Sequence, residues 1–309
     1  MILFRGACMR LLAAVFLLLV AGHAWAAGGV HLILSEAGGA YAETEASFRD
    51  ALGDGRQVKT WVLDTLTSAD LQVLSEQDQL LVPVGMKAAR ALAAQYSGRA
   101  DVLVLLLPRS AAAELAWRVP VPDLAYLYLD QPPARSVHLI RAALPQARRV
   151  GVLLSDENSE LAAAIESAAS SQGMTAMIRL LRGGEALGPA LREVLEDSDV
   201  LLLVPDARAL PPSHLSVVLL AAYRQRVPTV GFSPAQVKSG AVLGVFSSPG
   251  HIGRQGAALT KRWMQAGRLP ESQSAASFAV DINSNVARSL GLALPSVSEL
   301  AQRIGAHLP

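Results

Sequence analysis

Short aliphatic and β-branched runs alternate with longer helical patterns from Val30 almost to the C-terminus, and this rhythm is the strongest constraint on the fold. The apolar runs are Val30–Leu34, Val58–Leu63, Gln79–Val84, Val102–Leu107 and Ala125–Leu129. A second series follows at Arg149–Leu154, Thr175–Leu180, Val200–Val204, Pro228–Phe232 and Val242–Phe246. They lack in/out alternation, which is the pattern of parallel strands covered on both faces. Thr44–Leu52, Lys87–Tyr96, Ser159–Gln172, Ala186–Glu196, Ser213–Arg226 and Gln255–Ala266 carry helical periodicity between them. Repeated strand–helix–strand units imply right-handed crossovers and a doubly wound α/β architecture. Two series of strands fit two Rossmann-like lobes better than one very wide sheet.

The lobe boundary falls in Leu129-Asp130-Gln131-Pro132-Pro133, where paired prolines stop a strand and pre-set the helix Ala134–Leu144. The expected division is residues 27–129 plus about 248–281 for lobe 1, and 130–247 plus about 282–309 for lobe 2. The chain then crosses between lobes near Asp130, Ser247 and Asp281.

At the N-terminus, Arg5 and Arg10 precede the apolar run Leu11–Val20, and Ala24-Trp25-Ala26 offers a small-residue cleavage site. That arrangement predicts a secretory signal peptide over residues 1–26 and a periplasmic location. The run is well short of the ~20 apolar residues needed to span a bilayer. Cys8 is the only cysteine, so the exported chain would use neither disulfides nor thiolate chemistry. With 27 basic and 26 acidic residues the chain lacks the positive field of a nucleic-acid binder. A monomer with no membrane span in the mature chain is expected.

Ligands of open α/β sheets sit beyond the carboxyl ends of the strands, so the residues following each strand are the candidates. In lobe 1, Ser35 and Glu36 open a glycine-containing turn that runs to Tyr41. It reads either as a ligand cradle or as an ordinary capped turn. Gly85 would expose a free amide and Met86 an adaptable apolar wall. Arg109 is either a ligand contact or a solvated charge. In lobe 2, Ser155, Asp206, Ser233, Phe246 and Ser247 occupy the equivalent edges, with Pro234 favouring a cap role for Ser233. For an amino acid-like ligand, Ser35 and the amides of Gly38 to Tyr41 would meet the carboxylate and Asp206 the ammonium. Tyr41 and Phe246 would sandwich the side chain. The alternative for Asp206 is a cap on the helix that follows Pro211.

No nucleophile elbow, phosphate loop or zinc-protease motif occurs, and the histidines lack metal-ligand spacing. No cofactor and no enzymatic activity are expected.

Beyond Leu129 the sequence resembles a known family. The segments are Leu139–Leu153, Leu201–Asp206, Val227–Ser233, Ser239–Val245, Ile252–Ala258 and Asp281–Leu292. They are similar to the periplasmic substrate-binding proteins of uncharacterised ABC-type transport systems, some of which bind amino acids, aromatic ones among them. Phe246-Ser247-Ser248 stands where that family has an Asp-Tyr-Tyr-type turn, and Asp130-Gln131-Pro132 where it has Ser-Asp-Pro. The resemblance implies a type I periplasmic-binding architecture whose lobes close over a small molecule for delivery to an inner-membrane ABC permease. A sensory or accessory binding protein of the same fold is the alternative.

Overall fold

The computed structural model describes residues 29–53 and 58–305. The signal-peptide reading, with Cys8 and Ala26, lies outside the described residues. The first part of the chain folds as β1 (Val30–Leu34), α1 (Gly39–Leu52), β2 (Val58–Val62), α2 (Ser68–Ser75), β3 (Leu80–Val84) and α3 (Met86–Gln95). It continues as β4 (Asp101–Leu107), α4 (Arg109–Ala112) and β5 (Leu124–Tyr128). Next come α5 (Pro133–Ala143), β6 (Arg149–Ser155), α6 (Ser159–Ser171), β7 (Thr175–Leu181), α7 (Leu187–Glu196) and β8 (Val200–Leu202). These are followed by α8 (Leu215–Arg224), β9 (Thr229–Gly231), α9 (Pro234–Ser239) and β10 (Leu243–Phe246). The chain closes with α10 (Pro249–Ala266), β11 (Gln273–Ser274), β12 (Ala279–Ile282), α11 (Ser284–Ser289) and α12 (Val297–Gly305).

The strands form two six-stranded sheets, ordered β11-β5-β4-β3-β1-β2 and β12-β10-β9-β8-β6-β7. β12 runs antiparallel to β10, whereas the sheet interiors are parallel. Each sheet is covered on both faces. In the first, Leu32, Leu103 and Leu105 join Phe48 of α1, while Ile33, Val102 and Val104 join Leu92 of α3. In the second, Val150 and Val152 join Ile140 of α5, and Leu153 and Leu201 join Val218 of α8. Two-sided burial is why the strand sequences show no alternation.

β4 breaks its own period at the end nearest the cleft. Its register to β5 shifts between Leu105 and Leu107, and Leu106 has φ 62°. The extra residue lets Leu107 join Val102 and Val104 rather than Leu105. A bulky residue at positive φ is uncommon, and surrounding packing must hold it.

The chain passes between sheets three times, after Tyr128, after Phe246 and between Ser274 and Ala279. The last passage precedes the expected Asp281. Asp281 already pairs with Gly244 inside the second sheet, because β12 follows the short β11 so closely. After the second passage α10 packs on α1 at backbone contact. A Cβ on Gly253 would lie 2.3 Å from the Thr44 carbonyl oxygen, so only glycine fits there.

Candidate functional site

β5 and β10 both leave their sheets at the carboxyl end and pass directly into the other lobe, so the two carboxyl edges confront each other. Beside the first crossing, where Arg109 is bonded to Asp130, Ser110 Oγ, just after β4, donates to the carbonyl of Pro205, just after β8, at 3.2 Å. The space bounded by these edges is the cleft.

The hinge side is laced together. Gln131 Nε2 in the first crossing donates to Ser247 Oγ in the second at 2.9 Å, and Ser247 Oγ donates to the Ser277 carbonyl in the third at 2.5 Å. Arg135, at the start of α5, is buried and donates to the carbonyls of Ala275 at 2.9 Å and Ala276 at 3.0 Å. It also donates to Gln131 Oε1 and lies 4.7 Å over the Phe278 ring. A guanidinium held by carbonyls without a carboxylate partner is costly unless those carbonyls stay in place. The network makes Ser247 a hinge fastener rather than a free cleft hydroxyl.

On the lobe 1 wall, Ser35 is 1% exposed. Its hydroxyl donates to the Val84 carbonyl at 2.9 Å and accepts the Ala88 N–H at 3.0 Å. The expected carboxylate-binding hydroxyl is therefore taken up in joining β1 to α3. Gly85 has φ 91°, and a Cβ there would sit 2.5 Å from Tyr41 Cε1. Tyr41 thus rests on the Gly85 backbone, which its ring covers. Glu36 is exposed and pairs with Lys87. Met86 is half-buried beside them. Arg109 places its guanidinium 4.2 Å over the Tyr128 ring, and its N–H donates to Asp130 Oδ2 at 2.6 Å. Burial pushes the Asp130 carboxyl above the usual carboxylate range, against the pull of that hydrogen bond.

On the lobe 2 wall, Asp206 is 3% exposed and its carboxylate is fully engaged. Oδ2 accepts the Ser155 N–H at 2.7 Å, Ser155 Oγ at 2.8 Å and Asn158 Nδ2 at 2.6 Å. Oδ1 accepts the N–H groups of Arg208 and Ala209, each at 3.1 Å. Burial alone would raise this carboxyl, but the hydrogen bonds outweigh it and hold the group below its ordinary range. The expected ammonium partner is instead the knot that ties the loop after β8 to the end of β6, with no acceptor capacity left for a ligand. Ser155 is bound into the same knot. Ser233 accepts the Gln236 N–H at 3.3 Å and caps α9, as Pro234 suggested. Phe246 is half-buried at the end of β10.

Beyond Ser155 the wall opens into a cavity of about 600 Å³, lined by Arg182, Gly183, Gly184, Arg208 and His214 among others. Sequence reasoning did not single out these residues, although Gly183-Gly184 lies just beyond the Thr175–Leu180 run. The long-range bonds of Asn158, Gln131 and Arg135 have no local signature in the sequence. The Gly85 amide, expected to be free, donates to the Leu105 carbonyl at 2.9 Å. The groups still able to meet a ligand are Tyr41, Met86, Arg109, Arg182 and the amides of Gly183 and Gly184. Among the described residues no group of three His, Cys, Asp or Glu side chains comes together to hold a metal.

The chain matches no family model and no curated protein. It does resemble solved structures along most of its length. A ligand-free, open substrate-binding protein with adhesive properties from Clostridium difficile matches at TM-score 0.63 and 16% identity, over 87% of this chain and 96% of that one. A conserved domain protein from Vibrio cholerae matches at 0.57 and 20%, over 89% and 97%. An ABC domain in complex with L-Trp from Streptococcus pneumonia matches at 0.56 and 15%, over 89% and 98%. The two mostly parallel sheets, the triple crossing and these matches together show that the chain has the two-lobed, type I fold of ABC-transporter substrate-binding proteins.

Proposed function

We propose that this is a periplasmic solute-binding protein that captures a small, amino acid-like molecule between its lobes and presents it to an inner-membrane ABC permease. The observation that carries the reading is the confrontation of two carboxyl sheet edges across a cleft spanned by the Ser110–Pro205 bond and hinged at three crossings. Such edges are where open α/β sheets take ligands, and a hinge of a few residues permits closure. The use of this fold in substrate-binding proteins supports binding rather than catalysis.

Because Ser35 and Asp206 are internally satisfied, recognition falls to the Tyr41–Met86 wall, Arg109 and the Arg182 cavity. Arg182 carries no ion pair among the described residues and suits the carboxylate of the ligand. The test is a thermal-shift screen of amino acids, vitamins and small anions, followed by calorimetry. A ligand at a hundredfold its Kd stabilises by about 2.7 kcal/mol. Tyr41→Ala and Arg182→Ala should weaken any hit at least about tenfold. A hit whose affinity ignores both substitutions would remove the cleft as its site.

A further inference from the structure

We propose that the outer face of α8, with Lys238 of the adjoining α9, attaches to anionic phospholipid headgroups at a membrane surface, independently of any solute in the cleft. Val217 is 59% exposed, Leu220 48% and Tyr223 44%. Their spacing of three places them in one row along the helix, and Arg224 falls within the same arc. Arg226 follows at φ 57°, the left-handed position that closes the helix, where glycine is the easier residue. Lys238 is exposed on α9, which packs at the side of α8: a Cβ on Gly240 would lie 3.9 Å from Leu219.

Within its own stretch of chain, the charge on this row and on α9 has one sign. No Asp or Glu occurs between Asp206 and Glu271, and every formally charged residue in that interval is Arg or Lys. Arg224, Arg226 and Lys238 have no ion pair among the described residues. On the neighbouring α7, Glu193 is tied to Arg179, and Asp197 just beyond it faces Arg149, which leaves Glu196 as the free acid on that side.

Three occupants compete for an apolar row ringed by cations. A second copy of the chain would bring two cationic patches together with no acid in either row to pair them, which is unfavourable. A stable protein interface takes about 800 Å² from each partner, more than one face of a helix roughly 15 Å long supplies. A bilayer surface requires no matching shape. Leu and Val sink to the acyl boundary, Tyr sits at the headgroup level, and the long cations reach phosphates.

The test is co-sedimentation with phosphatidylcholine vesicles, with and without a one-third share of phosphatidylglycerol. Binding is expected only to the anionic vesicles and should fall as salt rises. Leu220→Glu should abolish it, and Arg224→Ala with Arg226→Ala should lower it roughly thirtyfold. Val73→Glu, which alters an exposed apolar residue on α2 of the other lobe, should bind as the parent does. These sites are solvent-facing, and an unchanged melting temperature confirms that the variants fold. Absence of binding to anionic vesicles would overturn the proposal and leave the face to an acidic protein partner. Binding that survives both the Leu220 and the arginine variants would overturn it too. So would concentration-dependent self-association, in sedimentation velocity, that Leu220→Glu abolishes.

Discussion

Gln131 Nε2 donates to Ser247 Oγ at 2.9 Å, joining two chain crossings that lie more than a hundred residues apart in sequence. Through Ser277 and Arg135 the same network reaches the third crossing, so one set of hydrogen bonds joins all three crossings. Ser247→Ala removes a donor and an acceptor from it. The expected loss is about 1–2 kcal/mol of stability, with faster amide exchange across residues 275–278 than in β4. Exchange that accelerates equally everywhere would mean the bond matters only to global stability.

Asp206→Ala should destabilise lobe 2 by roughly 2–4 kcal/mol, because it strands buried N–H groups of Ser155 and Ala209. The acid limb gives a second readout. A carboxylate held below its ordinary range contributes stability that is present above the unfolded pKa and is lost as pH falls through the folded one. Asp206→Asn should therefore flatten the acid dependence of the melting temperature. An unchanged acid limb would show that the carboxylate is not the group being titrated.

Asp130 has the opposite sign. Burial holds its carboxyl above the ordinary range, so the folded state favours the protonated form and loses stability as pH rises through the folded pKa. Asp130→Asn keeps an oxygen to accept the Arg109 N–H. The melting temperature of that variant should exceed the parent's near about pH 7, with the gain vanishing toward about pH 4. A lower melting temperature at neutral pH would show that the Arg109 interactions outweigh desolvation.

Gly85→Ala should cost about 1–3 kcal/mol, through φ 91° and a Cβ placed 2.5 Å from Tyr41 Cε1 and 2.8 Å from Ser35 Oγ. Tyr41→Ala in the same chain should recover only part of the loss, since the backbone strain remains. Full recovery would assign the whole cost to the ring.

The apolar runs were legible because strands buried on both faces need unbroken aliphatic sequence, and each run that was read became a strand with ends moved by a residue or two. β11 was not legible, since two residues carry no period. The third crossing was therefore read a few residues late. The candidate positions do follow strand ends, but for Ser35 and Asp206 the polar groups bond inside the protein. Ser35 and Asp206 were read as ligand groups because a hydroxyl or acid at a strand end looks the same whether its partner is a ligand or a backbone amide from a distant loop. Ser233 was legible, because its cap bond is local and the following proline marks it.

Closure of the lobes on a small solute is measured most directly by the distance between them. The only native cysteine is Cys8, so Arg90→Cys on α3 and Glu160→Cys on α6 place one fluorophore on each lobe with no competing site in the described structure. Addition of the calorimetric hit should raise energy transfer saturably at the calorimetric Kd, and Tyr41→Ala should shift that midpoint to higher concentration. A ligand that binds with full heat while transfer stays constant would contradict capture by closure.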